Sequence, residues 1–560
     1  MTNLRGVGAS PGVAIGPVVA LVEEEVDVPE LPEPFAAVTE STAAVASQLT
    51  ALAKNALSRD RHEAADVLQA QALMAEDPML TDAVGEHLDA GLGLGAALDA
   101  AGEQLEALLA SLPDPYLAAR AADVGEVVAA VRRDLAGLPP AETTLTEPSI
   151  LVAHALTAAE TADLDPAMVL GFATATGGAT SHVAIIARAL DVPAVVGVPR
   201  LLDTVPASAA LDGSTGEFIG DPSAEVAEDF SSRIAAEARL RSRLEELRGR
   251  PASFGSVAVS VAANIGGPSD IDRAVAEGSD GVGLFRTEFL FLDRSTAPTE
   301  EEQYEAYSLA AKAWDDTVVI RTFDIGGDKP APYLDLADEE NPFLGIRGVR
   351  LYERYPDLFV AQVRAVYRAA AHGTVALMIP MVSTLDEFHE LRRRVEAVRA
   401  DLDRESVSIG DVSLGVMVEV PSVALTAHAF AEHVDFFSIG TNDLTQYTMA
   451  ADRGEGELSH LHDPLHPAVL RLCEQVAAAG TATGTSVSVC GLAASDPLAA
   501  VIFAAVGVTK LSVSASAVNL IKATLGAQDA AIADEIRSTL GSASSAEEIR
   551  ERLAGLIAQP

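Results

Sequence analysis

From Val257 to Ser514 the chain repeats one theme eight times, a short apolar run of β-type residues followed by a segment long enough for a helix. The runs are Val257 to Ala262, Gly281 to Phe285, Thr317 to Ile320, Val375 to Ile379, Leu414 to Val418, Val434 to Ile439, Ser486 to Val489 and Leu511 to Ser514. Strands alternating with helices pair in parallel, and eight of them within about 300 residues predict a closed (β/α)8 barrel.

The polar residues fall where such a barrel keeps its chemistry. Asn264, Arg286, Arg321, Glu419, Asn442, Asp443 and Cys490 stand at, or just after, the C-terminal ends of the runs, and barrel active sites are built at that end. Arginine recognises phosphate and carboxylate through paired N–H groups, so Arg286, Arg321, Arg347 and Arg453 predict a small, multiply anionic substrate. Glu419 and Asp443, on neighbouring strand ends, offer two hard oxygen ligands. That is enough for Mg2+ when water and a substrate phosphate fill its other positions. Asn442 can donate to a substrate oxygen. Cys490 ends a strand within the same rim and is expected to face the site, whereas Cys473, in the helical stretch Val469 to Cys473, is expected to pack.

A second signal lies upstream. Gly177-Gly178-Ala179-Thr180-Ser181-His182 runs into the apolar helical stretch Val183 to Arg188, so one imidazole stands beside the N–H groups of a helix start. Those groups carry partial positive charge and suit an anion, and neutral imidazole is nucleophilic near pH 7. The layout is one for accepting a phosphoryl group.

Strand and turn patterns occupy Gly6 to Val19 and return from Ser149 to Asp221, while Phe35 to Gly137 has helical periodicity. The helical block therefore reads as an insertion. The predicted organisation is an α/β phosphohistidine domain from residues 1–32 and 141–221, an inserted helical subdomain at 33–140, a linker helix at 222–251 and the barrel at 252–560. Leu240, Leu244 and Leu247 share one face of the linker helix, which is expected to act as a swivel arm.

Composition narrows the functional classes. A chain of 560 residues is too long for one core, and with 49% hydrophobic residues it is globular rather than disordered. A formal charge of −44 argues against non-specific binding to nucleic acid or anionic membranes, both of which need a positive surface. Lysine occurs only five times, a balance that fits either a salt-rich cytoplasm or a GC-rich genome. Residues 33–140 alone hold 17 acidic and 6 basic side chains, a net of −11, which reads either as a solvated bundle face or as a docking surface for a basic protein. No apolar stretch reaches the ~18 residues of a membrane span, and two cysteines make no disulfide framework, so a cytoplasmic location is expected.

These motifs closely resemble enzyme I of the phosphoenolpyruvate:sugar phosphotransferase system. The resemblance rests on Gly177 to His182, Gly283 to Phe291, Arg321 to Lys329, Asn341 to Arg347 and Asp435 to Tyr447, and extends from Ser10-Pro11-Gly12 to Ser512-Val513-Ser514-Ala515. It implies that His182 takes the phosphoryl group of phosphoenolpyruvate and passes it to a histidine of a small phosphocarrier protein as the first step of sugar uptake. It further implies that Arg286 and Arg321 hold the phosphate with Arg347 nearby, that Arg453 and Asn442 orient the substrate, and that Glu419 and Asp443 ligate Mg2+. Cys490 would protonate the enolate to give pyruvate. Thr161 matches the family's threonine beside the acceptor imidazole, and the barrel would form a homodimer. Where Leu492 stands the family usually has an acidic residue, and the helical insert is the least similar part. Two other readings share features with this chain. A pyruvate phosphate dikinase or phosphoenolpyruvate synthase would need a nucleotide domain, and the first 148 residues show no glycine-rich nucleotide loop. A non-catalytic phosphoenolpyruvate sensor would be expected to lose His182, a metal carboxylate or Cys490, all of which are present.

Overall fold

The computed structural model describes residues 2–21, 26–58, 62–111, 121–139, 145–156, 164–178, 182–190, 192–292, 294–326, 331–336, 339–558 and 560. The chain forms two compact units, Met1–Arg239 and Leu240–Pro560, and the helix Ala224–Leu247 carries the chain from one to the other. No helix among the described residues is long and apolar enough to cross a membrane.

The first unit holds a mixed eight-stranded sheet. Its strands are β1 (Thr2–Arg5), β2 (Val7–Ser10), β3 (Val13–Leu21), β4 (Ser149–Ala153), β5 (Val169–Thr174), β6 (Ala194–Val196), β7 (Ser208–Asp212) and β8 (Glu217–Gly220), in the spatial order β1-β8-β7-β3-β4-β5-β6-β2. Strands β3 to β6 run parallel. The turn after β5 contains Gly177 at φ +105°, in the region that favours glycine. The chain then enters the helix His182–Ala189, whose Val183, Ala184 and Ala187 pack into the core beneath the sheet with Leu151 and Phe172. Arg188 donates from Nη1 to the Ala9 carbonyl at 3.0 Å, tying this helix to β2.

Between β3 and β4 the chain builds helices Pro34–Ser58, His62–Glu76, Pro78–Asp89, Leu94–Ala110 and Ala121–Leu135. They share a separate core of Val45, Leu49, Leu68, Val84, Leu98 and Val131. Pro78 sits in a first turn, where its missing N–H costs nothing, and Asp77 caps that helix by accepting from Met79 N–H. Apolar side chains at every third or fourth position account for the bundle, because each helix has one stripe to bury.

The second unit is the expected barrel. Strands β9 (Ala252–Phe254) and β10 (Val257–Ile265) form an antiparallel hairpin, and β10 begins the barrel proper. It continues through β11 (Val282–Phe285), β12 (Val318–Arg321), β13 (Val375–Ile379), β14 (Val412–Val418), β15 (Phe436–Ile439), β16 (Ser486–Val489) and β17 (Lys510–Val513). Each pairs in parallel with the next, and β10 pairs with both β11 and β17, which closes the barrel. Inside, Leu284, Val319, Ala376, Met378, Met417 and Cys490 form an apolar layer. Outside, the helices bury a much larger core that includes Phe359, Phe388, Val469 and Ile502. At Gly283 an added Cβ would lie 2.4 Å from Cβ of Ser512, so glycine is required where β11 and β17 crowd together.

Candidate active site

At the C-terminal mouth of the barrel, twelve residues line a cavity of about 100 Å3: Leu284, Arg286, Arg321, Asp324, Met417, Glu419, Gly440, Asn442, Asp443, Arg453, Cys490 and Gly491. Arg286 and Cys490 directly follow β11 and β16, Arg321 ends β12, and Glu419 directly follows β14. Asn442 and Asp443 lie in the first turn of the helix Thr441–Met449, which starts just after β15. A parallel strand that ends at a shared rim projects its next residue into that rim, and five such ends converge here. Leu284 and Met417 make the apolar floor.

The charged groups form an alternating ladder. Glu288 Oε2 meets Arg321 Nη2 at 2.9 Å, and Arg321 Nη1 lies 3.8 Å from Asp324 Oδ2. Asp324 accepts from Arg347 Nε at 3.1 Å and from Nη2 at 2.6 Å. Arg347 Nη1 then donates to Asp443 Oδ1 at 3.1 Å, and Asp443 Oδ2 lies 3.6 Å from Arg453 Nη1. Burial works against the charge on Arg321 and Arg347, but the facing carboxylates outweigh it and hold both guanidinium groups firmly protonated. Buried ions need such partners, because an unpaired charge costs several kcal/mol.

Two groups stand apart from this compensation. Arg286 has no ion-pair partner among the described residues, and burial together with the nearby Arg321 lowers its pKa. A guanidinium in that position favours an anionic occupant. Glu419 is 1% exposed; its Oε1 accepts from Met381 N–H at 2.7 Å, while Oε2 is buried with no hydrogen-bond partner among the described residues. Burial first, then Asp443 and Asp324, push the Glu419 carboxyl well above the ordinary carboxylate range. An orphaned oxygen crowded by other carboxylates is suited to a cation. No group of three or more His, Cys, Asp or Glu at metal-binding spacing occurs among the described residues, so a cation here would rest on one or two carboxylates. That is the usual provision for Mg2+, which keeps water and substrate phosphate as its other ligands.

Cys490 is 2% exposed, and burial pushes its thiol up to about 11. Its Sγ donates to the Ile439 carbonyl at 3.6 Å, so it is a protonated acid at neutral pH. Asn442 accepts at Oδ1 from Leu492 N–H at 3.1 Å, which orients the amide, while the Leu492 side chain is exposed. Cys473 is fully buried in the helix Pro467–Thr483, as expected of a packing residue.

Two rim residues read from the sequence as substrate-facing or supporting lie outside the cavity lining. Arg347 is 1% exposed and spends its guanidinium on Asp324 and Asp443, so it supports the pocket rather than facing it. Asn264 bridges strand ends instead, donating to the Ser512 carbonyl at 3.1 Å and accepting from Ser512 Oγ at 2.7 Å. Thr161, residues 179–181 and the side chain of His182 lie outside the described residues. Conversely, the ladder depends on Glu288 and Asp324, which the sequence reading did not single out. Their signal was available in Arg286-Thr287-Glu288 and Arg321-Thr322-Phe323-Asp324, where a carboxylate follows a strand-end arginine by two or three positions.

Three family models cover most of the chain. The PEP-utilising enzyme N-terminal model matches residues 5–120, the mobile-domain model residues 145–216 and the PEP-binding-domain model residues 243–530. Proteins named phosphoenolpyruvate-protein phosphotransferase match nearly end to end. That of Haloferax volcanii is 41% identical, covering 98% of this chain and 99% of its own length. Those of Bacillus subtilis and Streptomyces coelicolor are 36% and 42% identical, each over 98% of both chains. With its barrel, its arginine and carboxylate cavity and this full-length similarity, the chain belongs to the phosphoenolpyruvate-protein phosphotransferase family and is a phosphotransferase.

Proposed function

We propose that the barrel cavity binds phosphoenolpyruvate and that His182 accepts its phosphoryl group. The observation that carries this reading is the convergence of Arg286, Arg321, Glu419, Asp443 and Cys490 on one cavity. Arg286 and Arg321 hold the phosphate, Arg286 because it has no ion-pair partner among the described residues and Arg321 because its carboxylates fix it in place. Arg453 and Asn442 orient the carboxylate end. Glu419 and Asp443 would hold Mg2+, which when bound supplies charge neutralisation to the phosphate. Phosphoryl transfer needs positioning and neutralisation more than covalent help, and these residues provide both.

A ring nitrogen of His182 forms a bond to phosphorus as the bridging P–O bond breaks, and the electron pair leaves with the enolate oxygen. The thiol of Cys490 gives its proton to the methylene carbon, yielding pyruvate, and the thiolate recovers a proton from solvent. The thiol is matched to this task because burial keeps it protonated until a strongly basic carbon is presented. Thr161 would bond the acceptor imidazole. The phosphohistidine then passes its group to a histidine of a small phosphocarrier protein docked on the acidic helical subdomain, and the mobile domain must swing between the two stations. The reading places the reaction in the cytoplasm and includes a homodimer through the barrel, which sedimentation equilibrium tests.

The test of the proton step is Cys490→Ala. General acid catalysis contributes about 10² to 10⁴ in rate, so turnover should fall by that order while phosphoenolpyruvate still binds. Pyruvate formed in D2O from stereospecifically labelled substrate should be chiral at the methyl group with the native protein and racemic with the variant. Undiminished rate and stereochemistry in the variant would remove the thiol from the mechanism.

A further inference from the structure

Met381 sits just past β13 with φ +60°, a left-handed backbone conformation in a residue that is not glycine. Non-glycine residues seldom adopt it, and the cost persists only where surrounding structure enforces it, commonly at functional sites. Here the residue is 1% exposed and touches three parts of the site. Its N–H donates to Glu419 Oε1 at 2.7 Å. Its Sδ lies 3.8 Å from Oη of Tyr447, a hydroxyl that donates to the Phe343 carbonyl at 2.5 Å and accepts from Arg347 Nη1 at 3.4 Å. Gly348, itself at φ +54°, faces it so closely that a Cβ there would lie 3.0 Å from Cβ and Cγ of Met381 and 3.1 Å from Asp324 Oδ1. Two left-handed residues thus meet between the arginine ladder and the Glu419 carboxylate.

We infer that Met381 is a positioning residue that sets cation selectivity: its left-handed backbone commits Oε1 of Glu419 and leaves Oε2 as the oxygen offered to a divalent cation. The inference rests on the reading of Glu419 as a cation ligand. Oε2 is the oxygen that is buried with no partner among the described residues, and with Oε1 held by an N–H the carboxylate is presented through one oxygen. Ca2+ commonly takes carboxylates through both oxygens and collects six to eight ligands, whereas Mg2+ accepts single oxygens at short range in a strict octahedron. The committed Oε1 therefore favours the smaller ion.

The test separates the backbone from the side chain. Met381→Gly removes the thioether but adopts φ +60° without strain. Met381→Val places a β-branched residue where that φ is most unfavourable, so the peptide should rotate and the N–H should leave Glu419. Full-length protein is titrated with Mn2+ alone, followed by electron paramagnetic resonance, with Ca2+ as competitor; Mn2+ stands in for Mg2+ as a hard octahedral ion. Loss of an oriented outer contact typically weakens metal binding about 10- to 100-fold, so Met381→Val should lose Mn2+ affinity by that factor and discriminate less against Ca2+, while Met381→Gly keeps both properties. Equal behaviour of the two variants would overturn the role of the backbone, whether both bind like the native protein or both fail. If Met381→Val does not fold, retention of affinity and selectivity by Met381→Gly still supports the inference, and their loss overturns it. Glu419→Gln serves as the control for the underlying reading, since native-like Mn2+ binding in that variant would show that Glu419 is no ligand at all.

Discussion

Glu419 concentrates the electrostatic cost of the site in one side chain. Its carboxyl is raised by burial and by Asp443 and Asp324, so in the metal-free protein the folded state holds a proton that the unfolded chain releases. Stability therefore falls as pH rises from the ordinary carboxylate range toward neutrality, because the native state binds more protons there. Glu419→Gln removes this titration and keeps an oxygen for the Met381 N–H. The metal-free variant should melt above the native protein at pH 7 and match it near pH 4, a difference readable by calorimetry at the two pH values. A lower melting temperature for the variant at pH 7 would mean that the ionised carboxylate is favourably partnered and that the cation reading lacks its electrostatic basis.

The strands themselves were legible because each is a short apolar run between turns, and their ends located half of the cavity lining. Arg286, Arg321, Glu419 and Cys490 could be placed by counting along a strand, since the residue at a parallel strand's C-terminal end meets the rim wherever the barrel closes. Arg347 could not. It lies in a loop, and whether a loop arginine faces a substrate or is consumed by Asp324 and Asp443 depends on partners 23 and 96 positions away. Met381 was equally hidden, because a left-handed residue after a proline has no composition signal and is enforced by tertiary contacts. The joins between elements are as exacting as the elements. At Gly491, which links Cys490 to the loop after β16, an added Cβ would lie 1.8 Å from Thr441 Oγ1 and 2.6 Å from Thr441 N. Both contacts cannot relax without moving the helix that carries Asn442 and Asp443. Overpacking of this kind costs about 1 to 3 kcal/mol, so Gly491→Ala should lower the melting temperature by several degrees. It should also depress turnover far more than Gly526→Ala, a glycine with open space around it. Equal turnover in the two variants would show that the close approach does not matter to the site.

For the molecule as a whole, the mixed sheet and the barrel were legible as separate α/β patterns, as was the helical block between β3 and β4. The proposed step at His182 was not, since neither pattern by itself brings that imidazole to a substrate. The charge of the chain has its own consequence. The helical block carries a net charge of −11, and screening shortens the reach of such a field to about 3 Å at 1 M salt. Transfer to a basic carrier should slow as salt rises while phosphorylation by phosphoenolpyruvate does not, and parallel salt series on the two half-reactions check this. A carrier association rate that is flat with salt would dismiss charge steering. The central claim, that a phosphoryl group passes from the barrel cavity to one histidine, is tested most directly by incubating native and His182→Ala protein with 32P-labelled phosphoenolpyruvate and Mg2+. The account predicts acid-labile, base-stable label near one equivalent per chain in the native protein and none in a folded His182→Ala variant. Stoichiometric label in that variant would contradict it.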